Sequence, residues 1–503
     1  MHKLFNILFS RFVINVTLII IQMFFIFAFI YILDEFSMII YFITMVIGAL
    51  ICIIILNGAI TPELKIPWLL ILILFPILGV LLYLLNGKKR ERAMYNLNKF
   101  KSENYMRQDK SIIKTLEEEN KQISGQAKYI LYNAHYPSYN NVRSKYYPLG
   151  EDLFEDLIAD LKKAEKFIFL QFFIIDEGYM WDAILEILKE KVSAGVDVRI
   201  IYDDIGCMWT LPNNYYKDLR EMGIKCEVFN RLKPILSIIY NNRDHRKIVV
   251  IDGNVGFTGG INIADEYINR KERFGHWKDT GIKLEGSAVQ NMTMIFLDTW
   301  HAITSDEDDY VNFLPTIEIE EKDGYFAPFD DNPMKPETVG ETVYLNIINS
   351  AVDYVYITSP YLVLTYELVI ALANAAKRGV KVRIITPAIP DKWAIHAITQ
   401  SYYPILMNAG IDIYEYNGFI HAKVIVSDDV VGVVGTINLD FRSLYHHYEN
   451  GVWIYNSKVL ADIKNDINDT KNKSTLIDID LFKATPWYKR IVGAIAKIFA
   501  PLM

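Results

Sequence analysis

The chain has 503 residues, enough for two or three domains, and its hydrophobic content of 52% is above the soluble norm, with the surplus at the N-terminus. A formal net charge of −8 argues against a nucleic-acid surface, which needs clustered Lys and Arg, and favours lipid or small polar partners. Three cysteines, Cys52, Cys207 and Cys226, are too few for a disulfide framework and read as free thiols.

The first 87 residues read as a membrane anchor with apolar segments at 13–33, 37–56 and 66–85, each near the ~20 residues that span a bilayer. The first is too long for a cleaved signal peptide. Basic residues flank the set at both ends, Lys3 and Arg11 before it and the cluster at 88–92 after it. The positive-inside rule wants both flanks in the cytoplasm, which three full crossings forbid. Two crossings with a third segment broken at Phe75-Pro76 reconcile them, placing the rest of the chain on the cytoplasmic side of the membrane. Residues 88–145 read as a linker, helical over 91–122 and loop-like over 124–144.

From 146 the pattern becomes β-α-β. Residues 150–166 are helical, 167–175 make a buried strand, 182–194 a helix ended by Gly195, and 196–202 a second strand. The order returns with a strand at 354–357, a helix at 366–377 ended by Gly379, and a strand at 380–385. The predicted fold is therefore α/β, a mixed β-sheet flanked by helices, built twice: a first half at 146–330 and a second at 331–482, related by a pseudo-twofold. The tail, 483–503, is an amphipathic helix that lies in headgroups or docks on the domain.

Both halves carry one constellation. His245-Arg-Lys247, four apolar residues, Asp252, then Gly259-Gly260-Ile-Asn262 recurs as His421-Ala-Lys423, four residues, Asp428, then Gly435-Thr436-Ile-Asn438. The offset is 176 residues at the histidines and 184 at Gly195 and Gly379, so the halves are an internal duplication. Each stretch reads as a β-hairpin with Asp252 or Asp428 in its turn. Alternation along a strand puts each His and Lys on one face, pairing a nucleophile or proton carrier with a fixed cation. Gly260 and Thr436 let backbone approach an anion, and Asn262 and Asn438 supply amide donors. The pattern suits a phosphate.

These two copies resemble the HxKxxxxD motifs of the phospholipase D superfamily, and with the apolar N-terminus the chain resembles bacterial cardiolipin synthases. The resemblance implies that the pseudo-twofold gathers His245, Lys247, Asn262, His421, Lys423 and Asn438 around one phosphodiester, with Asp252 and Asp428 completing the catalytic motifs and Gly260 and Thr436 adding to the phosphate site. Two lysines within about 4 Å of the phosphate would each contribute roughly 4 kcal/mol at an effective dielectric near 20, standing in for a metal. No cofactor and no metal are implied. It further implies a phosphohistidine intermediate, with His245 as nucleophile and His421 as acid/base, and a carboxylate from the opposite half orienting each imidazole: Glu449 for His245 and Asp279 for His421. The implied reaction moves a phosphatidyl group between two phosphatidylglycerols, releasing glycerol; partners would be anionic membrane lipids, with no nucleic acid. Competing readings are a phospholipase D hydrolase, a transferase using another alcohol, a membrane-tethered nuclease, and a lipid-binding scaffold without turnover. His446 and His447 are adjacent, so they would point differently, and Thr358 to Tyr361 would line the lipid pocket or simply turn the chain.

Overall fold

A computed structural model of the chain describes residue 24 and residues 37–58, 61–85, 105–106, 109–232, 241–306, 308–335, 337–484 and 486–502. The apolar run at 13–33, apart from residue 24, and the basic cluster at 88–92 lie outside them. The N-terminal part contains α1 (Ser37–Asn57), α2 (Pro62–Leu74) and α3 (Pro76–Leu85). The run at 66–85 is two helices, because Pro76 cannot continue the first. A Cβ on Gly79 would lie 2.8 Å from the Leu72 Cα, whereas seven residues of straight helix span about 10.5 Å. The chain therefore doubles back at Phe75, and Leu72 and Val80 close on Ile51 and Ile55 of α1. Among the described residues no helix is identified as long and apolar enough to cross a membrane, so the expected multi-pass anchor is not confirmed.

Two helices follow, α4 (Lys110–Glu119) and α5 (Lys121–Asn133). The second occupies part of the expected loop. Its start is set by Asn120, whose Oδ1 accepts from Gln122 N and Ile123 N, and Ile123, Ala127 and Ile130 bury one face at helical spacing.

The first half contains β1 (Val142–Tyr147), α6 (Gly150–Leu161), β2 (Phe167–Phe172), α7 (Tyr179–Ser193), β3 (Asp197–Asp203), α8 (Tyr215–Glu221), β4 (Lys225–Phe229), β5 (Ile248–Ile251), β6 (Val255–Gly259), β7 (Trp277–Lys278), β8 (Gly281–Gly286) and α9 (Val289–Thr304). The second contains β9 (Tyr325–Asp331), α10 (Val339–Ser350), β10 (Tyr354–Thr358), α11 (Tyr366–Lys377), β11 (Lys381–Pro387), α12 (Trp393–Asn408), β12 (Asp412–Tyr416), β13 (Phe419–Ile420), β14 (Val424–Ser427), β15 (Val431–Gly435), α13 (Phe441–Tyr445), β16 (Glu449–Tyr455), α14 (Val459–Asn472) and β17 (Ser474–Ile477). Then come α15 (Ile479–Ala484) and α16 (Trp487–Phe499).

The sheet orders are β1-β8-β6-β5-β2-β3-β4 and β17-β12-β11-β10-β14-β15-β16-β9. Read in corresponding directions they match strand for strand, except for the added edge strand β17. In each, two parallel pairs (β2-β3-β4, β10-β11-β12) continue into antiparallel hairpins. Gly195 and Gly379 adopt φ of +90° and +97° at the ends of α7 and α11, a backbone state that glycine reaches without Cβ strain. The fold is thus α/β with two similar halves and mixed sheets.

Two short joints tie the halves together. β7 pairs in parallel with β13, and Arg243 and His245 bracket Tyr448, with Tyr448 N donating to Arg243 O and His245 N donating to Tyr448 O. These joints fix the site.

Candidate active site

Each joint ends at a histidine on one strand and a carboxylate on the other. After the β7–β13 pairing come Asp279 and His421, and His421 N donates to Lys278 O at 2.7 Å. Beside Tyr448 stand Glu449 and His245. The Asp279 Oδ2 lies 2.7 Å from Nδ1 of His421, and the Glu449 oxygens lie 2.9 and 3.0 Å from Nδ1 of His245. All four side chains are buried. Each carboxylate accepts the Nδ1 proton and leaves the Nε2 lone pair for chemistry.

The lysines stand on the same faces as their histidines. Lys247 and Lys423 are buried, and each ammonium donates to the carbonyl of its own motif histidine. Burial pushes Lys247 down to about 8 and Lys423 down to about 7, with the carboxylates pulling the other way. Burial first, and the lysines next, hold His245 well below the usual imidazole range and His421 at about 4. Burial favours the neutral form of all four bases, and a phosphate anion beside them would favour their protonated forms.

The asparagines are buried behind the histidines. Asn262 accepts from Ile174 N at 3.0 Å and donates to the Tyr267 hydroxyl at 2.7 Å. Asn438 donates to Ser443 Oγ, and its Oδ1 has no hydrogen-bond partner. Ser359 donates to Tyr361 O and accepts from Leu439 N, so the turn at 358–361 braces the segment carrying Asn438.

Four expected site residues have other tasks. Asp252, at φ +54°, accepts from Glu165 N, Lys166 N and Phe167 N at 2.7–2.9 Å. Asp428, at φ +56°, accepts from Val352 N, Asp353 N and Tyr354 N at 2.7–2.9 Å. Both pin a hairpin turn to the start of the neighbouring strand, at the end of the hairpin away from the histidines. They do not join the catalytic cluster. Gly260 leaves room for a carboxylate, since a Cβ there would be 2.0 Å from Asp279 Oδ1. Its counterpart Thr436 is fully buried, donates to Glu449 Oε2 at 2.5 Å and accepts from Asn450 N at 2.9 Å. Gly260 and Thr436 therefore both shape the carboxylate that faces each histidine.

The site also holds residues that the sequence reading passed over. His447 is buried with its Nδ1 3.5 Å from Glu449 Oε1 and its ring 5.4 Å from that of His245. Residues two apart on an extended segment share a face, so His447 with Glu449 and Trp277 with Asp279 were legible signals. Trp277 and Tyr267 wall His421, and Phe173 walls His245. His245, His447 and Glu449 bring ligand atoms within 4.8 Å of one another, close enough to hold a metal ion, a cluster drawn from both halves that local spacing could not display. Lys247 and Lys423 act on the same His245, a field that opposes a dication and suits an anion. Cys207 is buried, takes a hydrogen bond from Ile175 N and has its thiol pushed up by burial; all three cysteines are free.

The model of the cardiolipin synthase, phospholipase D-like domain matches residues 157–296 and 344–470, one stretch in each half, more than half of the chain. The chain belongs to that family. A phospholipase D-nuclease N-terminal model matches residues 45–88. Cardiolipin synthases of Alkalihalophilus pseudofirmus and Geobacillus kaustophilus are 32% and 33% identical, over 88% of this chain and 89% of theirs. An uncharacterized protein of Streptococcus mutans serotype c is 43% identical over 87% of this chain and 96% of its own. A crystal structure of phosphatidylserine synthase from Haemophilus influenzae superposes with a TM-score of 0.55 at 14% identity, covering 75% of this chain and 97% of that one, which extends the fold relationship. Family membership makes the chain a phosphatidyltransferase of the phospholipase D type.

Proposed function

We propose that the chain is a cardiolipin synthase that transfers a phosphatidyl group from one phosphatidylglycerol to the terminal hydroxyl of another. The observation that carries this is the pair of histidine–carboxylate dyads, each built across the joint between halves and each flanked by a buried lysine. His245 Nε2 attacks phosphorus while the glycerol alkoxide departs with a proton from His421, which takes up that proton together with the phosphate anion. Neutral His421 then takes the proton of the incoming hydroxyl, whose oxygen forms the new P–O bond as the P–N bond breaks. The sum is two phosphatidylglycerols to cardiolipin and glycerol.

The dyads differ in a way that favours this division. Glu449 shares its charge between His245 and the Thr436 hydroxyl, whereas Asp279 faces His421 with one backbone donor beside it. The less divided carboxylate better stabilises an imidazolium, which an acid must form. Lys247, Lys423, Asn262 and Asn438 hold the phosphate. Domain limits follow the same reading: anchor 1–87, linker 88–145, halves 146–330 and 331–482, tail 483–503.

An apolar N-terminal part supports a membrane lipid as the substrate. The uncharged α1 exposes Met38, Phe42 and Ile54, and α2 and α3 form a fold-back too short for each arm to cross alone. We read the apolar N-terminal part as the membrane anchor, with the catalytic halves on the cytoplasmic side. The test is product analysis in phosphatidylglycerol vesicles without divalent metal. Cardiolipin with equimolar glycerol supports the synthase; phosphatidic acid without cardiolipin makes water the acceptor and rejects it.

A further inference from the structure

The C-terminal helix packs the wrong way round for an ordinary docked amphipathic helix. Gly493 and Lys497 face the protein: a Cβ on Gly493 would lie 2.4 Å from Ala397 O of α12, and Lys497 lays its ammonium 3.6 Å from the Tyr402 ring centre, while Ala500, just past the helix, is buried. Its bulky residues face outward, with Trp487, Ile491 and Ile495 67%, 49% and 55% exposed. Water is a poor neighbour for such a face. The helix carries Lys489, Arg490 and Lys497 and no acidic residue.

We propose that this outer face, continued by the start of α12, is the surface on which the catalytic halves rest against an anionic lipid bilayer. The proposal rests on the reading of the substrate as a membrane phospholipid and adds how the mouth of the site meets it. Three observations join the face to the site. Gly493 meets Ala397 and Lys497 meets Tyr402, so α16 and α12 run alongside in the same direction; four residues back from the first contact is Trp393, 52% exposed. The preceding Lys392 is one of the charges acting on His245. At the other end, Pro501 O lies 3.3 Å from His446 Nε2, three residues before Glu449. The face also runs on into the N-terminal helices: α16 touches α2, whose Ile73 and Leu74 are exposed, and Glu63 of α2 accepts from Tyr366 N at 2.8 Å. Exposed aromatics and aliphatics beside an exposed Arg490, on a helix without acidic residues, are the composition of an interfacial helix on anionic lipid.

The test uses the full chain with Cys52→Ala, reconstituted in vesicles of phosphatidylglycerol and phosphatidylcholine, with a nitroxide on Ile491→Cys or Ile495→Cys. Cys207 and Cys226 are buried and stay in place. A label on Lys114→Cys, exposed on α4, gives the aqueous reference. Labels at 491 and 495 should collide with oxygen and be shielded from a water-soluble nickel chelate. Nickel access equal to the reference would overturn the proposal, as would shielding from both agents, which would mean that protein covers the face. The Ile491→Glu/Ile495→Glu variant should lose about tenfold or more of vesicle turnover yet keep wild-type turnover on short-chain phosphatidylglycerol in micelles. Equal loss on both would assign the residues to folding and overturn the proposal. Wild-type protein that makes no cardiolipin while its labels sit in lipid would count against the function reading alone.

Discussion

Replacing Asp279 by Asn removes the charge behind His421 and leaves the Glu449–His245 dyad untouched. The lost contact is a 2.7 Å charge-assisted hydrogen bond between two buried groups. Such a bond is worth about 1.5–3 kcal/mol, which at about 1.4 kcal/mol per tenfold is roughly a 10- to 150-fold loss of rate. An amide that donates to Nδ1 would move the ring proton to Nε2, and the wrong tautomer can raise the loss toward about 10⁴. If His421 is the acid, the defect lies in protonating a poor leaving group. The assay is the burst of nitrophenolate from a phosphatidyl nitrophenyl ester, whose leaving group needs no proton. Asp279→Asn should keep a near-normal burst while losing turnover on phosphatidylglycerol, and Glu449→Gln should lose both. Equal loss of burst in the two variants would refute the division of roles, and the reverse pattern would exchange them.

Gly260→Ala should lose more than about 100-fold in turnover with little change in fold, because its Cβ would overlap Asp279 Oδ1 at 2.0 Å and drive the carboxylate off His421; wild-type turnover would exclude the positioning role. Asp428→Ala removes the acceptor of three backbone N–H groups, at about 1 kcal/mol each. Its melting temperature should fall by about 5–10 °C while turnover per folded molecule stays within about threefold, and a selective loss of turnover would return Asp428 to the catalytic set. For pH, Lys423 is pushed by burial from 10.5 to about 7 in the folded site. Between those values the unfolded chain binds the proton more tightly, so this residue makes stability rise with pH from about 7 to about 10.5. Thermal melts in detergent should therefore rise less steeply over that window in Lys423→Met than in the wild type, and tungstate should stabilise the wild type more at pH 6.5 than at pH 9. Identical slopes would contradict the desolvated lysine.

Much of the fold was legible because it is written twice. The strand runs 167–172 and 354–358, the glycine caps at 195 and 379 and the hairpins after His245 and His421 all follow from alternation and turn chemistry. The strand at β17 and the helix α5 were less so: α5 runs from the end of the expected linker helix into a polar, aromatic stretch, and its buried positions, Ile123, Ala127 and Ile130, are spaced among Ser, Gly and Gln. Within the site, His and Lys share a face by strand geometry alone, but the separation of their tasks from those of Asp252 and Asp428 needs the backbone donors of a different strand. Thr436 and Gly260 look alike in the motif and act oppositely in space, one supplying a hydroxyl to a carboxylate and the other vacating room for one. His446 and His447 do point differently, and the pairing of residue 448 with Arg243 turns His447 to the face of Glu449.

In the proposed reaction one imidazole carries the phosphatidyl group while the other moves the proton. The most direct measurement is rapid quench at alkaline pH of the protein with phosphatidylglycerol labelled with ³²P at its phosphate, followed by peptide mapping. In His421→Ala, a nitrophenyl donor bearing the same label should leave phosphatidyl on the peptide containing His245, and His245→Ala should leave none. Label on the His421 peptide, or cardiolipin formed by His245→Ala at the wild-type rate, would contradict it.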